Sequence, residues 1–173
     1  MLNRSLSVSI VVYKPDIDIL KKTLISFFKA SKEIKLDDFK VYLINNSINY
    51  QKKHVQDLCN LFDLILINAK NNYGYGKGHN LVLKNILTYH LILNPDVIIE
   101  KNALKNCIEY IEKDKNIGLI TPNASDPDNN IQYLIYNYPS VFIYFLRGIA
   151  PIFIKKIFKK KLDDYLLKHQ YKN

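Results

Sequence analysis

Cysteine is scarce in this chain of 173 residues, and the two cysteines that occur lie far apart. Cys59 and Cys107 fit neither a disulfide framework nor a zinc site, because both of these need closely patterned groups of ligands. Both residues fall within helical patterns, so we expect them to be buried free thiols. Free thiols are typical of a reducing compartment, and the sequence therefore favours a cytoplasmic location.

Long apolar runs are also lacking. No stretch reaches the roughly 18 to 20 apolar residues that a membrane-spanning helix needs. The N-terminal segment MLNRSLSVSIVVYKPD has a short apolar run that serines interrupt, and no small-residue cleavage site follows it. We therefore expect no secretory signal peptide here.

The positive charge is concentrated at one end of the chain. The formal net charge is +9, and from Arg147 onward eight basic residues are accompanied by only Asp163 and Asp164. The preceding residues carry 17 basic and 14 acidic side chains. A nucleic-acid-binding domain distributes its cations over a folded face, so this distribution argues against nucleic acid as a partner.

Hydrophobic residues make up 48% of the chain, which suits a folded domain with a sizeable core. Short apolar stretches typical of buried strands alternate with stretches of helical periodicity. This alternation favours a mostly parallel sheet covered by helices on both faces, so the predicted fold class is α/β. The predicted strands are 7–13, 39–45, 63–68, 90–94 and 117–121, and the predicted helices are 17–28, 51–61, 81–87 and 102–113.

The regular alternation ends after residue 121. A polar turn region, PNASDPDNN, precedes the segment IQYLIYNYPS, for which we expect an irregular strand. Residues 141–154 are apolar but are interrupted by arginine, glycine and proline. The sequence contains no internal repeat and no linker that would separate two domains.

Polar residues directly follow four of the predicted strands. In an open parallel sheet, ligands bind beyond the carboxyl ends of the strands. Each cluster alone is an ordinary turn sequence, but together they predict one binding edge. The clusters are Tyr13-Lys14, Asn45-Asn46-Ser47, Gly74 to Asn80 and Asn94-Pro95-Asp96.

The glycine-rich segment NNYGYGKGHN lies between a predicted strand and a predicted helix. Glycines allow the backbone to approach a phosphate, and the start of a helix offers free N–H groups. The dinucleotide fingerprint G-x-G-x-x-G fails, because its third glycine would fall at His79 or Leu81. A nicotinamide-dinucleotide enzyme is therefore disfavoured.

Asp96 follows the run YHLILN and a proline. Pro95 fixes its own φ angle and restricts Asn94 to extended backbone, so the carboxylate is held in a defined direction. Mg²⁺ and Mn²⁺ are usually bound by one or two carboxylates together with water and substrate phosphates. We therefore expect Asp96 to bind one of these cations jointly with a diphosphate.

Taken together, these motifs resemble the family-2 glycosyltransferases, which have a GT-A nucleotide-sugar-binding fold. The resemblance covers roughly residues 6–150 and includes SVSIVVYKP, LINNS, NNYGYGKGHN and YHLILNPDVII. The combination of the glycine-rich segment with L-N-P-D-V is its most specific part. It is similar above all to bacterial rhamnosyltransferase-like members of this family.

This resemblance implies an activity and a set of site residues. The implied activity is the metal-dependent, inverting transfer of a sugar from a nucleotide-sugar donor to a lipid-linked or polysaccharide acceptor. The subgroup implies rhamnose as the sugar. The implied pathway is bacterial surface polysaccharide synthesis. Mg²⁺ or Mn²⁺ would stabilise the leaving diphosphate. The implied residues are Tyr13 in the base pocket, Asn45 at the base or ribose, Gly74, Gly76 and Asn80 near the donor, and Asn94 and Asp96 in place of the family's D-x-D motif, with Asp96 as the metal ligand.

Two departures from the family pattern bear on catalysis. Asn45 stands where the family usually has an aspartate, which removes a charge from the nucleotide pocket. The family's later G-A-x-M-like, G-x-F-D-E-x-F and acidic E-D segments are absent from this sequence, and the last of these supplies the catalytic base. We therefore expect residues 1–140 to be an incomplete, C-terminally truncated donor domain with no assigned base. The alternative is an inactive remnant that binds a nucleotide or a partner.

Residues 141–173 are predicted to form a separate basic, amphipathic segment. Bulky apolar residues here adjoin five lysines, at positions 155, 156, 159, 160 and 161. Such a segment fits a membrane interface, with its lysines directed toward anionic lipid on the inner face of the cell membrane. A solvated basic helix that packs against further protein is an equal alternative.

Overall fold

The computed structural model describes residues 4–48 and 50–168. By its internal contacts the chain divides into two compact units, residues 1–118 and 119–173. The boundary expected from the sequence, after residue 140, falls inside the second unit.

A parallel four-stranded sheet forms the centre of the first unit, with the strand order β3-β2-β1-β4. The strands are β1 (Ser5–Val12), β2 (Asp38–Asn45), β3 (Ile65–Asn68) and β4 (Tyr89–Leu93). Every residue of the central strand β1 is buried, as its apolar sequence predicts. Val12 pairs with Asn45, which in turn pairs with Asn68, so the carboxyl ends of three strands are level. Four of the five predicted strands are thus confirmed.

The helices of the first unit are α1 (Ile17–Ser31), α2 (Lys52–Phe62), α3 (Gly74–Asn80) and α4 (Ala103–Lys113). Helix α1 begins after Asp16, as expected from its sequence. Oδ1 of Asp16 accepts hydrogen bonds from the backbone N–H groups of Asp18 and Ile19, at 3.0 and 3.1 Å. This side chain satisfies two donors that would otherwise be unpaired at the helix start.

Hydrophobic clusters lie on both faces of the sheet. Because side chains alternate along a strand, Val8, Ile10 and Val12 of β1 face one side. They join the larger cluster, which contains Leu20, Leu24 and Phe27 of α1, Val55 and Leu58 of α2, and Leu104 and Ile108 of α4. On the opposite side, Val11 packs in a smaller cluster with Tyr42, Ile44 and Val82. This smaller cluster leaves room for polar groups beside it.

The glycine-rich segment is a helix rather than the expected loop. Residues Gly74–Asn80 form α3, and the helix predicted over 81–87 is reduced to a 3-10 turn at Leu83–Asn85. Glycine disfavours helix by about 1 kcal/mol relative to alanine, which is why the pattern indicated a loop. Tertiary packing overrides this preference at Gly78, where an added Cβ would lie 2.9 Å from both γ carbons of Val11. Glycine therefore allows α3 to approach β1.

The predicted strand at 117–121 is wrong. These residues have no regular secondary structure, and the Leu119 side chain is 85% exposed. An apolar run becomes a strand only where a neighbouring strand satisfies its backbone groups. Within the described residues, β4 pairs with β1 alone, and this segment pairs with neither.

The second unit contains a short antiparallel pair and three helices. These are β5 (Ala124–Ser125), β6 (Ile131–Gln132), α5 (Val141–Gly148), α6 (Ile152–Ile157) and α7 (Lys159–Tyr165). Within the expected irregular strand, Ile131–Gln132 form β6 and pair with β5. Ile143, Leu146, Ala150 and Tyr165 form the centre of this unit. The Arg147 guanidinium lies over the Tyr165 ring and over that of Tyr136.

Both cysteines are free, as predicted; Cys59 is buried and Cys107 is half-buried. In the described parts of the chain, we find no helix whose length and apolar character would let it cross a bilayer.

Candidate functional site

The candidate site lies in the first unit, beyond the carboxyl ends of the parallel strands. All four strands run in one direction, so the residues that follow β1, β2 and β4 emerge at the same edge. Helix α3, which follows β3, packs against β1 near this edge. The four polar clusters expected from the sequence are therefore gathered on one side of the sheet.

The ends of β1 and β2 are joined by hydrogen bonds. The Asn46 backbone N–H donates to the Val12 carbonyl oxygen at 2.8 Å, and the Lys14 N–H donates to Ser47 Oγ at 2.6 Å. Lys14 has a φ of +47°, which is unusual for a residue that has a Cβ. It also precedes Pro15, which normally imposes extended backbone. The bond from Ser47 helps to hold this strained turn in place.

The Tyr13 side chain is 54% exposed at the end of β1. The ammonium group of Lys14 lies 5.5 Å from the centroid of its ring. An open cleft of about 380 Å³ adjoins this turn, lined by Lys14, Pro15, Asp16, Ile17, Asp18, Tyr50 and Gln51. An exposed aromatic face at a strand end is able to stack on a planar ring. Contact between Tyr13 and a nucleobase stays a prediction.

Asn45 is buried, with only 1% of its surface exposed. Its Oδ1 accepts from the Ser47 backbone N–H at 2.9 Å, and its Nδ2 donates to Oδ1 of Asn68 at 3.4 Å. The side chain thus fixes the turn after β2 and connects it to the end of β3. Its expected contact with a base or ribose stays a prediction.

Asn46 connects this turn to α3. Its Nδ2 donates to the Gly74 carbonyl oxygen at 3.0 Å, while its buried Oδ1 has no hydrogen-bond partner among the described residues. Gly74 has a φ of +75°, a conformation that glycine adopts without steric cost. Asn46 therefore fixes the start of the glycine-rich helix to the end of β2.

The residues of the glycine-rich segment that we expect near the nucleotide-sugar donor lie apart from one another in the structure. Gly74 is the first residue of α3 and Asn80 is the last, so they lie about 9 Å apart along the helix axis at 1.5 Å per residue. Space is open at Gly76, where an added Cβ would contact nothing within 4 Å. The start of the helix is at Gly74, not near Asn80 as the expected loop implied.

Tyr75 connects α3 to the Asn-Pro-Asp segment. Its hydroxyl donates a hydrogen bond to Oδ1 of Asn94 at 2.7 Å. Burial, and after it the charge of nearby Asp96, raise the pKa of the Tyr75 hydroxyl, so it remains a donor at neutral pH. The sequence singled out the glycines of this segment but not the tyrosine between them. Its position between Gly74 and Gly76 offered no signal beyond its aromatic character.

The Asn-Pro-Asp segment is anchored on α1. Thr23 Oγ1 donates to the Pro95 carbonyl oxygen at 2.9 Å, and the Ile99 N–H donates to Ser26 Oγ at 3.0 Å. The Asp96 side chain between these anchors is exposed. The backbone is therefore held on both sides of a carboxylate that solvent can reach.

Asp96 fits a cation that is shared with a ligand. Within residues 4–48 and 50–168, no three side chains of His, Cys, Asp or Glu form a group able to hold a metal. A single open carboxylate suits Mg²⁺ or Mn²⁺, which keep several water molecules and take further oxygen ligands from substrate phosphates. Binding of Mg²⁺ or Mn²⁺ by Asp96 together with a diphosphate stays a prediction.

A buried chain of serines and histidines lies beneath α3, and sequence reasoning missed it. His79 Nδ1 lies 2.7 Å from Ser9 Oγ, which also lies 2.9 Å from His90 Nε2. His90 Nδ1 lies 2.8 Å from Ser7 Oγ. The available signal was the spacing of the serines at every second position of an apolar strand, which places them on one face.

Burial favours the neutral form of both histidines in this serine–histidine group. Burial, followed by the influence of His90, lowers the pKa of His79 below its ordinary value. Burial likewise lowers the pKa of His90. Neutral imidazole has one donor and one acceptor nitrogen, so each ring can both give and receive a hydrogen bond.

No protein-family model matches the sequence, and the search of curated proteins found no significant match.

Solved structures of Staphylococcus aureus TarS match the fold. The full TarS structure is 23% identical over 63% of this chain and 20% of TarS, with a TM-score of 0.52. The structure of TarS 1–349 in complex with UDP-GlcNAc gives the same identity and TM-score over 31% of its length. The complex of TarS 1–349 with UDP gives a TM-score of 0.50 over 32% of its length. The chain thus spans a fifth of TarS and about a third of TarS 1–349.

This similarity establishes the fold. TarS is a glycosyltransferase, and the shared architecture is an α/β fold with a mostly parallel sheet between helices. The predicted GT-A-like fold class is therefore confirmed. The rhamnosyltransferase-like assignment is a finer prediction that the similarity does not address.

Proposed function

We propose that this chain forms the donor site of a nucleotide-sugar glycosyltransferase. The observation that carries the proposal is the Tyr75–Asn94 hydrogen bond, at 2.7 Å. It joins the glycine-rich helix to the Asn-Pro-Asp segment at the edge where parallel α/β sheets bind ligands. TarS, which shares the fold, has been solved in complex with UDP and UDP-GlcNAc.

In this proposal, different residues of the edge contact different parts of the donor. The exposed Tyr13 ring stacks on the base, and the turn at Asn45 holds the neighbouring backbone in place. Gly74, Gly76 and Asn80 line the glycine-rich side of the donor. Asn94 and Asp96 face the diphosphate, with Asp96 as ligand of Mg²⁺ or Mn²⁺. When bound, the cation would neutralise negative charge on the diphosphate.

The finer assignments come from the resemblance to the family-2 enzymes. They are inverting transfer of a hexosyl group to a lipid-linked or polysaccharide acceptor. The subgroup that the sequence resembles implies rhamnose as the sugar. The pathway is bacterial surface polysaccharide synthesis, as an O-antigen or capsule, with the protein at the inner face of the cell membrane. The base that deprotonates the acceptor is not assigned to any residue of this chain.

A second candidate is nucleotide or partner binding without sugar transfer. It needs only the donor edge, whose Tyr75–Asn94 bond forms within the first unit. The two candidates share the donor site and differ in turnover. Release of nucleoside diphosphate from a nucleotide sugar in the presence of acceptor lipid distinguishes them.

Calorimetry with UDP, GDP and dTDP, each with and without Mn²⁺, tests the donor site. We expect one of these diphosphates to bind more tightly with Mn²⁺, because Asp96 and the diphosphate share the cation. Asp96→Asn should abolish this dependence, whereas Glu100→Gln, an exposed carboxylate four positions further on, should preserve it. Binding of none of the three diphosphates, or equal binding with and without Mn²⁺, would contradict the proposal.

The second unit supports the proposed contact with a membrane surface. Large apolar side chains of its helices are exposed to between 63% and 87%: Val141, Tyr144, Ile149, Ile152, Phe153 and Ile157. Apolar patches of this kind on a folded unit mark a contact surface. The lysines at 155, 156, 159, 160 and 161 provide the charge that complements anionic lipid. A lipid-linked acceptor would be reached from such a surface.

A further inference from the structure

The buried serine–histidine chain has a single direction of proton donation at any moment. Ser9 Oγ lies within hydrogen-bond distance of His79 Nδ1 and of His90 Nε2. A hydroxyl has one proton, so Ser9 donates to one ring and must accept from the other. The nitrogen that carries the proton in one imidazole therefore determines which nitrogen carries it in the other.

The other end of the chain indicates which direction is better satisfied. Ser7 Oγ accepts from the Leu87 N–H at 3.0 Å and lies 3.3 Å from the Tyr89 carbonyl oxygen. If Ser7 donates to that carbonyl, His90 must carry its proton on Nδ1 and donate to Ser7. Ser9 then donates to His90 Nε2, and His79 donates from Nδ1 to Ser9. Every contact of both serines is satisfied in this arrangement.

The opposite direction places both ring protons on Nε2. Ser7 would donate to His90 Nδ1 and give up the Tyr89 carbonyl. In both directions the two imidazoles are the same tautomer, because each ring is bonded to Ser9 through a different nitrogen.

The serine–histidine group ends at His79, whose ring supports Tyr75. His79 is 4% exposed, and its Nε2 has no hydrogen-bond partner among the described residues. Its ring packs edge-on to Tyr75, with centroids 4.5 Å apart and planes at 75°. Tyr75 in turn holds Asn94 at 2.7 Å. One set of contacts therefore runs from the interior of β1 to the donor edge.

We propose that His79 is a positioning residue of the donor site, whose ring is oriented through Ser9 by His90 and in turn orients Tyr75 and Asn94. The inference deepens the proposed function and rests on it for its functional consequence. It assigns His79 no contact with the reacting atoms. His79 acts by fixing the Tyr75 ring, so that the Asn94 side chain is held in one orientation before the donor binds.

The first test needs no ligand. Long-range ¹H–¹⁵N NMR of the full chain reports the tautomer of each histidine. We expect His79 and His90 to be neutral at pH 7.5 and to share one tautomer, and Ser9→Ala to remove this coupling. Opposite tautomers in the unsubstituted protein, or no change in Ser9→Ala, would contradict the proposed hydrogen-bond coupling between the two histidines.

The second test separates positioning from space-filling. Ser9→Ala keeps the imidazole but removes the hydrogen bond that orients it, whereas His79→Leu fills similar volume without the imidazole. The readout is the side-chain amide resonance of Asn94. We expect both variants to shift this resonance toward its position in Tyr75→Phe, whereas His54→Gln, at an exposed position, should leave it unchanged. An unshifted resonance in a folded His79→Leu protein would overturn the inference.

The third test connects this inference to binding. With the nucleoside diphosphate that binds in the presence of Mn²⁺, we expect His79→Leu to weaken affinity roughly tenfold, as loss of an orienting group beside a metal site does. Ser9→Ala, which keeps the ring but not its orienting bond, should weaken affinity as well. Unchanged affinity in His79→Leu would overturn the functional role. If the unsubstituted protein binds no diphosphate, the proposed function fails. The NMR results still decide whether His79 positions Tyr75 and Asn94.

Discussion

The hydroxyl of Tyr75 donates a hydrogen bond to Oδ1 of Asn94 across 2.7 Å. Tyr75 belongs to the glycine-rich helix α3, and Asn94 directly follows β4. Two motifs that are separate in the sequence are therefore one unit in the folded protein. The bond fixes the amide oxygen of Asn94, and with it the direction of the segment that carries Asp96.

Replacing Tyr75 with phenylalanine removes this bond and little else. We expect the free energy of unfolding to fall by about 1 kcal/mol, the usual net value of one hydrogen bond. Mn²⁺-dependent binding of nucleoside diphosphate should weaken by up to about tenfold, because Asn94 is no longer held. Urea denaturation and calorimetry measure the two effects. Tyr110→Phe, on the exposed face of α4, is the control and should change neither.

The same residues show how far the sequence predicts this site. Polar clusters after apolar strands correctly predicted that these residues lie at one edge of the sheet, because parallel strands run in the same direction. The Tyr75–Asn94 bond could not be predicted, because it depends on α3 being a helix. That in turn depends on the fit of Gly78 against Val11, a contact between distant parts of the chain. Local propensity indicated the opposite.

The buried histidines escaped prediction for a similar reason. Serines at every second position of β1 indicate a polar face, but not which residue meets it. His79 and His90 reach Ser9 from α3 and β4, and only the strand order brings these elements together. The strand predicted at 117–121 failed because strand formation depends on a partner rather than on apolar sequence alone.

Gly78→Ala tests the fit of α3 against β1. Its Cβ would lie 2.9 Å from both γ carbons of Val11, and a β-branched side chain has little freedom to move aside. We expect the free energy of unfolding to fall by about 1 to 3 kcal/mol, as for other overpacked sites. Thermal and urea denaturation of the purified variant measure this loss.

Two companion variants make this prediction specific. Gly76→Ala meets no atom within 4 Å and should leave the protein equally stable or more stable by about 1 kcal/mol, since alanine favours helix. The pair Gly78→Ala with Val11→Ala should recover part of the loss by opening space. If Gly78→Ala were as stable as Gly76→Ala, α3 would not pack on β1 as described.

Stability should fall as the pH drops through the titration range of the histidines. The pKa values of His79 and His90 are lowered in the folded state, so the unfolded chain binds protons first. The free energy of unfolding should therefore be undiminished above about pH 6.5, the ordinary histidine value, and should decrease below it. Each ring contributes at most about 1.4 kcal/mol per pH unit. Urea denaturation at pH 7.5 and 5.5 measures the difference.

The groups that face these rings support this assignment. His79 is faced by Ser9, His90 and Tyr75, and Asp96 acts on Tyr75 rather than on the imidazole. The double variant His79→Asn with His90→Asn should flatten the dependence, while the exposed His54→Gln should preserve it. An unchanged slope in the double variant would assign the effect elsewhere.

The exposed surface of the second unit predicts binding to anionic vesicles. Its apolar side chains between 141 and 157 are exposed, and the lysines at 156, 159 and 160 have no acidic partner among the described residues. Each lysine near a negatively charged bilayer contributes about 1 kcal/mol. We expect replacement of Lys155, Lys156, Lys159, Lys160 and Lys161 by Gln to reduce co-sedimentation with phosphatidylserine-containing vesicles at least tenfold.

The control replaces five exposed lysines of the first unit, at positions 21, 22, 29, 32 and 35, and should leave binding largely intact. Binding unaffected by the tail lysines, or equal binding to neutral vesicles, would favour a protein partner for this surface instead.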